Sequence, residues 1–126
     1  MSSKISSTNR KLYICSIGAW HNPDYIFTSN GFLEKTHPNM MGRYSLIKTC
    51  NLTRRNVILI YKHDKADVYL SNHNSTWLVG TKTETLLRRP MSTWSWEVPG
   101  DGWSHKVGDV LTFDHSIHVA SVKSKY

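Results

Sequence analysis

Short runs of β-branched and aromatic residues recur along the chain, and clusters of Gly, Pro, Asn and Asp separate them. A spacing of about ten residues, with a turn signal between neighbouring runs, is typical of strands in an all-β protein. No window keeps apolar residues at helical spacing over three turns, and residues 84–88 would form one helical turn at most. The pattern predicts an all-β fold, an antiparallel sandwich or barrel-like meander of short strands with little or no helix. The predicted strands cover residues 12–17, 25–28, 43–48, 57–62, 67–71, 76–80, 93–98, 110–113 and 118–122.

A seam rich in proline and glycine, at residues 90–102, divides the predicted strands into two groups. We predict a disordered lead-in over residues 1–11, an aromatic-rich β module over residues 12–96 and a strand pair over residues 97–126. Modules of roughly 60 residues are marginally stable on their own, so the two groups are expected to pack as one body. No apolar run approaches the roughly 20 residues that span a bilayer, so no membrane span is expected.

The net charge of +7 is unevenly distributed, because residues 1–62 hold nine of the 16 basic residues and two of the nine acidic ones. A basic surplus favours anionic partners such as a nucleic acid, a glycosaminoglycan or an acidic lipid. Arginine pairs with interleaved aromatic residues suit a single-stranded nucleic acid, although no RNP-like motif accompanies them, and exposed tryptophans suit a glycan. The candidate residues for binding a ligand or polyanion are Arg54, Arg55, Arg88, Arg89, Trp94, Trp96 and Trp103.

The cellular compartment stays open at the level of sequence. Cys15 and Cys50 either form one disulfide or lie as two buried thiols. Asn51 and Asn74 begin two sequons, which accept glycans only in a secreted protein. The N-terminal residues are polar and have no apolar signal region. The protein is therefore expected outside the cell if its true start carries a signal, and in the cytoplasm if the chain is complete.

The C-terminal part of the chain carries a family signal. Trp103 is followed by the run Val-Gly-Asp-Val-Leu-Thr-Phe-Asp over residues 107–114, and then by His118. This order resembles the first half of a phytocyanin-type cupredoxin. The resemblance implies that residues 110–113 form an alternating strand packed in a sandwich, with His118 as a copper ligand and His115 as a nearby substitute. In that family a Cys, a second His and an axial ligand complete the site downstream, whereas no cysteine follows Cys50 here.

A second resemblance covers residues 42–96, which look like a small β module of multidomain invertebrate proteins that is often found outside the cell. Read physically, Tyr61, Tyr69 and Trp77 lie on successive predicted strands, where they would stack as cross-strand neighbours in the core. A platform of aromatic residues facing a ligand is the alternative. The residues that carry this resemblance are Gly42, Tyr44, Asn56, residues 60–63, Tyr69, Leu70, residues 77–80, Trp94 and Trp96.

Candidate chemistry beyond these residues is sparse. His115 and His118 are three residues apart and, together with His105 and Asp114, are candidates for a loop-borne zinc or copper site, with surface histidines as the alternative. The sequence contains no Gly-x-Ser-x-Gly, no Cys-x-x-Cys, no His-Glu-x-x-His and no phosphate-binding glycine-rich loop. An enzyme is therefore not expected, and no cofactor is expected apart from the copper that the cupredoxin resemblance implies.

Taken together, the residues predict a non-enzymatic binding or recognition module, as part of a larger secreted or surface protein. Its expected partner is a glycan, a polyanion or another protein. A copper-binding or electron-transfer relative of the cupredoxins, with an incomplete site, is the first alternative. A basic binder of nucleic acid or another polyanion is the second.

Overall fold

The computed structural model describes residues 14–17, 22–53, 56–73, 75–93 and 95–124. These residues form ten strands, one short helix, α1 (Phe32–Thr36), and a 3-10 turn at Pro38–Met40. The strands are β1 (Ile14–Ile17), β2 (Asp24–Ser29), β3 (Gly42–Thr53), β4 (Asn56–His63), β5 (Tyr69–His73), β6 (Thr76–Gly80), β7 (Thr85–Pro90), β8 (Ser104–Val107), β9 (Val110–Phe113) and β10 (Ile117–Val122).

All ten strands belong to one antiparallel sheet that curls into a half-barrel. Nine of them follow the order β10-β2-β3-β4-β5-β6-β7-β8-β9, and β1 pairs with β3 beyond the end of β2. From β2 to β9 the chain is a meander, because each strand pairs with the next one in sequence. The prediction of an antiparallel all-β protein with little helix is confirmed.

Two local predictions are wrong. Residues 84–88 do not form a helical turn, since residues 85–88 belong to β7, which pairs on one side with β6 and on the other with β8. The segment predicted as a strand at residues 93–98 contains no strand in its described part. There the chain bends so that Val98 and then Trp103 turn into the core. β8 was not predicted, because its sequence, Ser-His-Lys-Val, has a single strongly apolar residue.

The concave face of the half-barrel holds an aromatic core. Phe27 lies between the rings of Tyr44 and Trp103, with both ring centroids at 5.1 Å and edge-to-face geometry. Tyr61 contacts Tyr25 in the same way at 5.4 Å and lies 6.4 Å from Trp77. Such pairs add roughly 0.5–1.5 kcal/mol each beyond the burial of their area. The core is therefore built from aromatic residues of β2, β3, β4 and β6 and of the segment before β8.

Two residues of the second resemblance, Gly42 and His63, contact each other beside this core. Gly42 has a φ of +117°, and a Cβ atom there would lie 3.0 Å from the Nε2 atom of His63. The ring of His63 donates from Nε2 to the carbonyl of Met41 (2.6 Å) and accepts at Nδ1 from the backbone N–H groups of Lys65 and Ala66 (3.0 Å each). This set of partners fits the neutral ring protonated at Nε2. The Gly and His of the motif are thus required by packing and backbone hydrogen bonding.

The two segments separated in the sequence share one sheet. β8 pairs with β7, and β10 pairs with β2 at the opposite end of the strand order. The described part of residues 97–126 therefore supplies both end strands of the sheet, β10 and β9, and the strands between β10 and β8 come from earlier in the chain.

The cysteines lie at the junction of β1 and β3. Cys50 is disulfide-bonded, and its register partner on β1 is Cys15, the only other cysteine of the chain. Of the two alternatives left open by the sequence, the structure shows the disulfide rather than two thiols.

Candidate binding surface

The two histidines of the predicted copper site lie in different environments. His118 sits in β10 opposite Thr28, with its side chain exposed on the convex face. His115 lies in the turn after β9, with its ring 4.4 Å from the ring of Phe113. His105 is buried and turned toward Asp114 instead. Within the described part of the chain, no group of three or more His, Cys, Asp or Glu side chains is arranged to hold a metal ion.

The candidate residues for a polyanion or glycan are also dispersed. Arg88 is exposed on the convex face, whereas its neighbour Arg89 points the other way and donates from Nε to the carbonyl of Asp101 (2.6 Å). Trp96 is half exposed on the loop before β8. Trp103 is fully buried and donates from Nε1 to the carbonyl of Pro99 (3.0 Å), so it packs the fold and offers no face to a ligand. Arg54, Arg55 and Trp94 lie outside the described residues.

The hairpin of β8 and β9 carries the exposed apolar surface of this end of the sheet. Every residue of β9 is exposed, and the exposed fraction is 64% for Val110, 47% for Leu111 and 53% for Phe113. Val107 of β8 is 47% exposed. The cupredoxin resemblance implied that this strand packs inside a sandwich, and the structure corrects that expectation, because all four residues of β9 are exposed. Apolar side chains grouped on a surface in this way mark interaction sites.

A two-residue turn, Gly108 and Asp109, joins the two strands of this hairpin. Gly108 has a φ of +60°, which puts a glycine at the first central position that a type II′ turn requires. Next to the far end of β9, the N–H of Asp114 donates to the carbonyl of Trp103 (2.9 Å). Because backbone groups alternate in direction along a strand, the even-numbered residues of β9 direct their backbone N–H and C=O groups toward β8.

Leu111 and Phe113 therefore turn their backbone N–H and C=O groups away from β8. β9 is the last strand of the sheet order, and in the described ranges no further strand or loop forms backbone hydrogen bonds with its outer side. The result is an open strand edge whose backbone donors and acceptors lie beside apolar side chains. Sheets normally protect such an edge, because it is a template for pairing with another chain.

A cleft of about 440 Å³ borders β9 on the convex face. Two cations, Arg88 and Lys106, line it together with two carboxylates, Glu84 and Asp109. Leu111 forms part of the same wall. The cleft therefore combines charges of both signs with an apolar side chain of the open edge.

A buried hydrogen-bond network fixes the turn that follows β9. The carboxylate of Asp114 accepts from Nδ1 of His105 (2.8 Å) and from the side chain and backbone of Ser116 (2.6 and 2.9 Å). Ser116 in turn contacts the hydroxyl of Ser29 in β2 (3.0 Å). Burial alone would raise the pKa of Asp114, but the hydrogen bonds from Ser116 and His105 outweigh it and hold that pKa below its usual value. The network anchors the end of β9 to β8 and β2 while leaving its outer side open.

Sequence reasoning missed this edge as a site. The Gly-Asp turn and the alternating strand were visible in the sequence, but the composition of a strand does not say whether another strand covers it. The available signal was the run of residues 107–113, which is apolar at four positions. That β9 is the last strand of the sheet is known only from the tertiary structure.

No helix in the described residues is long and apolar enough to cross a membrane. No protein-family model, no curated protein and no solved structure matches this chain.

Proposed function

We propose that this chain is a non-enzymatic recognition module that binds an extended segment of a protein by strand addition at the outer edge of β9. The observation that carries the proposal is the open edge itself. Leu111 and Phe113 present backbone groups that no described residue satisfies, and their side chains are half exposed. An added strand would take up those backbone groups, which is how β-augmentation supplies affinity.

The energetics favour such a partner over solvent. Each backbone hydrogen bond adds a net of about 0.5–1.5 kcal/mol, and each Å² of apolar surface removed from water adds about 25 cal/mol. Val110, Leu111 and Phe113 supply the apolar area on both faces of the strand. A partner segment with apolar residues at alternating positions would therefore match the edge on both faces.

The charges of the neighbouring cleft support a protein over a polyanion. Arg88 and Lys106 share the cleft with Glu84 and Asp109, so the cleft has no field of a single sign. A polyanion would meet two carboxylates beside the two cations. A polypeptide, which carries charges of both signs, would not meet this repulsion.

The disulfide of Cys50 supports a role outside the cytosol, because disulfides persist in oxidising compartments. This agrees with a recognition module of a secreted or surface protein.

The test is a selection of random extended peptides, displayed on phage, against the immobilised chain. Selected peptides are then titrated against the wild type, Leu111→Pro and Leu111→Ala. Proline at residue 111 removes an outward N–H without removing a bond to β8, whereas alanine keeps the N–H and shortens the side chain. We expect proline to weaken binding by about tenfold or more, and alanine to weaken it by a few-fold.

The proposal is wrong if the selected peptides bind Leu111→Pro as tightly as the wild type, or if selection yields no binder and the wild type does not pair with itself through β9. Far-ultraviolet circular dichroism and the melting temperature of both variants show that the comparison is made on folded protein. An unchanged fold is expected, because residue 111 is exposed on an edge strand.

A further inference from the structure

We infer that the segment added to β9 is β9 of a second copy of this chain, paired antiparallel about a two-fold axis that passes beside Thr112. The inference rests on the proposed use of the β9 edge and names its occupant. It follows from the direction of the backbone groups and from the side chains that each register would bring together.

Symmetry leaves few registers. A two-fold axis perpendicular to the sheet makes the two strands antiparallel and keeps the same face of each copy on the same side. Residues that lie opposite each other must then both be odd-numbered or both even-numbered, because side chains alternate between the faces. In so short a strand two registers remain: either Leu111 lies opposite Leu111 of the second copy, or Thr112 lies opposite Thr112 of the second copy.

The side chains favour the register centred on Thr112. In it, Leu111 of each copy lies opposite Phe113 of the other, which makes two apolar cross-strand pairs, and Thr112 lies opposite Thr112. In the register centred on Leu111, each Phe113 would instead lie opposite the carboxylate of Asp109. Val110 meets Asp114 in the favoured register, but that carboxylate is already turned to His105 and Ser116.

The backbone and the charges agree with this choice. Leu111 and Phe113 are the residues with outward backbone groups, so the two Leu111–Phe113 pairs are the hydrogen-bonded pairs, each exchanging both N–H···O bonds. The same register brings Asp109, at the hairpin turn, next to the second copy's His115, and both of these side chains are exposed. An imidazole N–H there can donate a hydrogen bond to the carboxylate.

The expected dimer is one that exchanges with monomer. A stable interface buries about 800 Å² on each partner, and a four-residue strand edge with its flanking turn offers less than that. Association should therefore depend on concentration over the micromolar range or above, and sedimentation velocity of the wild type should show it.

Cysteine cross-linking decides the register. Thr112→Cys places two thiols on directly opposite residues of a non-hydrogen-bonded pair, at a Cα separation of about 4.5 Å that a disulfide spans. Val110→Cys is the matched control, because residue 110 of one copy lies about four residues along the strand, or roughly 13 Å, from residue 110 of the other. Leu111→Cys probes the rival register. Cys50 is disulfide-bonded already, so the introduced thiol is the one that reacts.

In a glutathione redox buffer we expect Thr112→Cys to form at least about ten times more covalent dimer than Val110→Cys or Leu111→Cys. Preferential cross-linking at residue 111, or equal cross-linking at residues 110 and 112, overturns the inference. If a cysteine variant does not fold, sedimentation velocity replaces it: the wild type must dimerise and Leu111→Pro must dissociate at least about ten times more readily.

These outcomes separate the two proposals. Phage-selected peptides that need the edge, together with a wild type that stays monomeric at high concentration, overturn the second copy as occupant and leave strand addition intact. Loss of both results overturns the recognition surface itself.

Discussion

The two end strands of the sheet, β10 and β9, differ in whether another segment of the chain covers their outer side. The outer side of β10 is covered, because the N–H of Val119 donates to the carbonyl of Gly100 (2.9 Å) and the loop before β8 lies over it. That loop is held in place by the burial of Trp103 and by the hydroxyl of Tyr25, which accepts from the N–H of Val98 (3.3 Å). The outer side of β9 has no such cover among the described residues.

The open edge of β9 is therefore not a consequence of a short or loop-poor chain. A segment long enough to cover a strand edge exists next to the hairpin, and it is used at the other end of the sheet. Edge strands of monomeric proteins are commonly protected by charges, prolines, bulges or a covering loop. β9 has threonine and three apolar residues instead.

The largest effect is expected from Trp103→Ala, which removes the anchor of the covering loop. Trp103 is fully buried against Phe27, and truncating a buried Trp to Ala typically costs about 3–5 kcal/mol. We expect that decrease in the free energy of unfolding, measured by urea denaturation. A decrease below about 1 kcal/mol would show that the loop and its tryptophan do not complete the core.

The next effect is expected from Asp114→Asn, at the turn that joins the two edges. Loss of charge-assisted hydrogen bonds to His105 and Ser116 should lower the free energy of unfolding by about 1–3 kcal/mol at neutral pH. The pKa of Asp114 in the folded protein lies below its usual value, so the ionised carboxylate stabilises the fold above the pKa of the unfolded chain. That contribution is lost as the pH falls through the folded pKa.

Urea denaturation of the wild type and Asp114→Asn at several pH values below about 5 checks the sign. The difference between the two proteins should shrink as the pH falls. A difference that stays constant to the acid limit would show that the carboxylate's charge does not stabilise this turn.

A smaller effect is expected from Tyr25→Phe, which removes the acceptor for the N–H of Val98. The variant should lose about 1 kcal/mol in the free energy of unfolding, because a buried donor is left without its partner. Hydrogen exchange at the Val119 amide, under the covering loop, should become faster. Tyr69→Phe is the control, since its hydroxyl contacts Asp67 on the exposed surface and its loss should change stability by less than about 0.5 kcal/mol.

The smallest effect on stability is expected from Phe113→Ser on the open edge. Phe113 is half exposed, so the free energy of unfolding should change by less than about 0.5 kcal/mol, while association through β9 should fall. Thermal unfolding and sedimentation of the same samples measure the two quantities together. A large loss of stability with unchanged association would mean that Phe113 supports the fold rather than a contact with another chain.

Most strands could be predicted, because each apolar run between turn residues is long enough for one strand. Residues 57–62 and 76–80 became β4 and β6 almost residue for residue. β7 could not be recognised, because leucine and arginine favour a helix locally and only pairing with β6 and β8 makes residues 85–88 extended. The strand order could not be predicted either, because nothing near β10 in sequence marks β2 as its partner.

For the candidate site, too, the local elements could be predicted from the sequence and their exposure could not. Residues 107–113 were recognised as a turn and strand, but their exposure depends on where the curled sheet ends. A tryptophan is equally suited to stacking on a ligand and to filling a core. Trp103 fills the core because the chain bends at residues 99–102, and the sequence does not reveal this bend. His115 and His118 are three residues apart in sequence, but the turn directs one ring to Phe113 and the strand directs the other to the convex face.

The pairing of β2 with β10 also has a consequence for synthesis on the ribosome. Thr28 and His118, which lie opposite each other, are 90 residues apart, so β2 leaves the exit tunnel long before its partner has been translated. Until then β2 is itself an uncovered edge, and the core lacks Trp103 and Ile117. Contacts so distant in sequence slow folding, and the nascent chain exposes apolar strands for most of its translation. A chaperone that shields the first half of the chain should therefore raise the yield of folded protein more than one that acts after release.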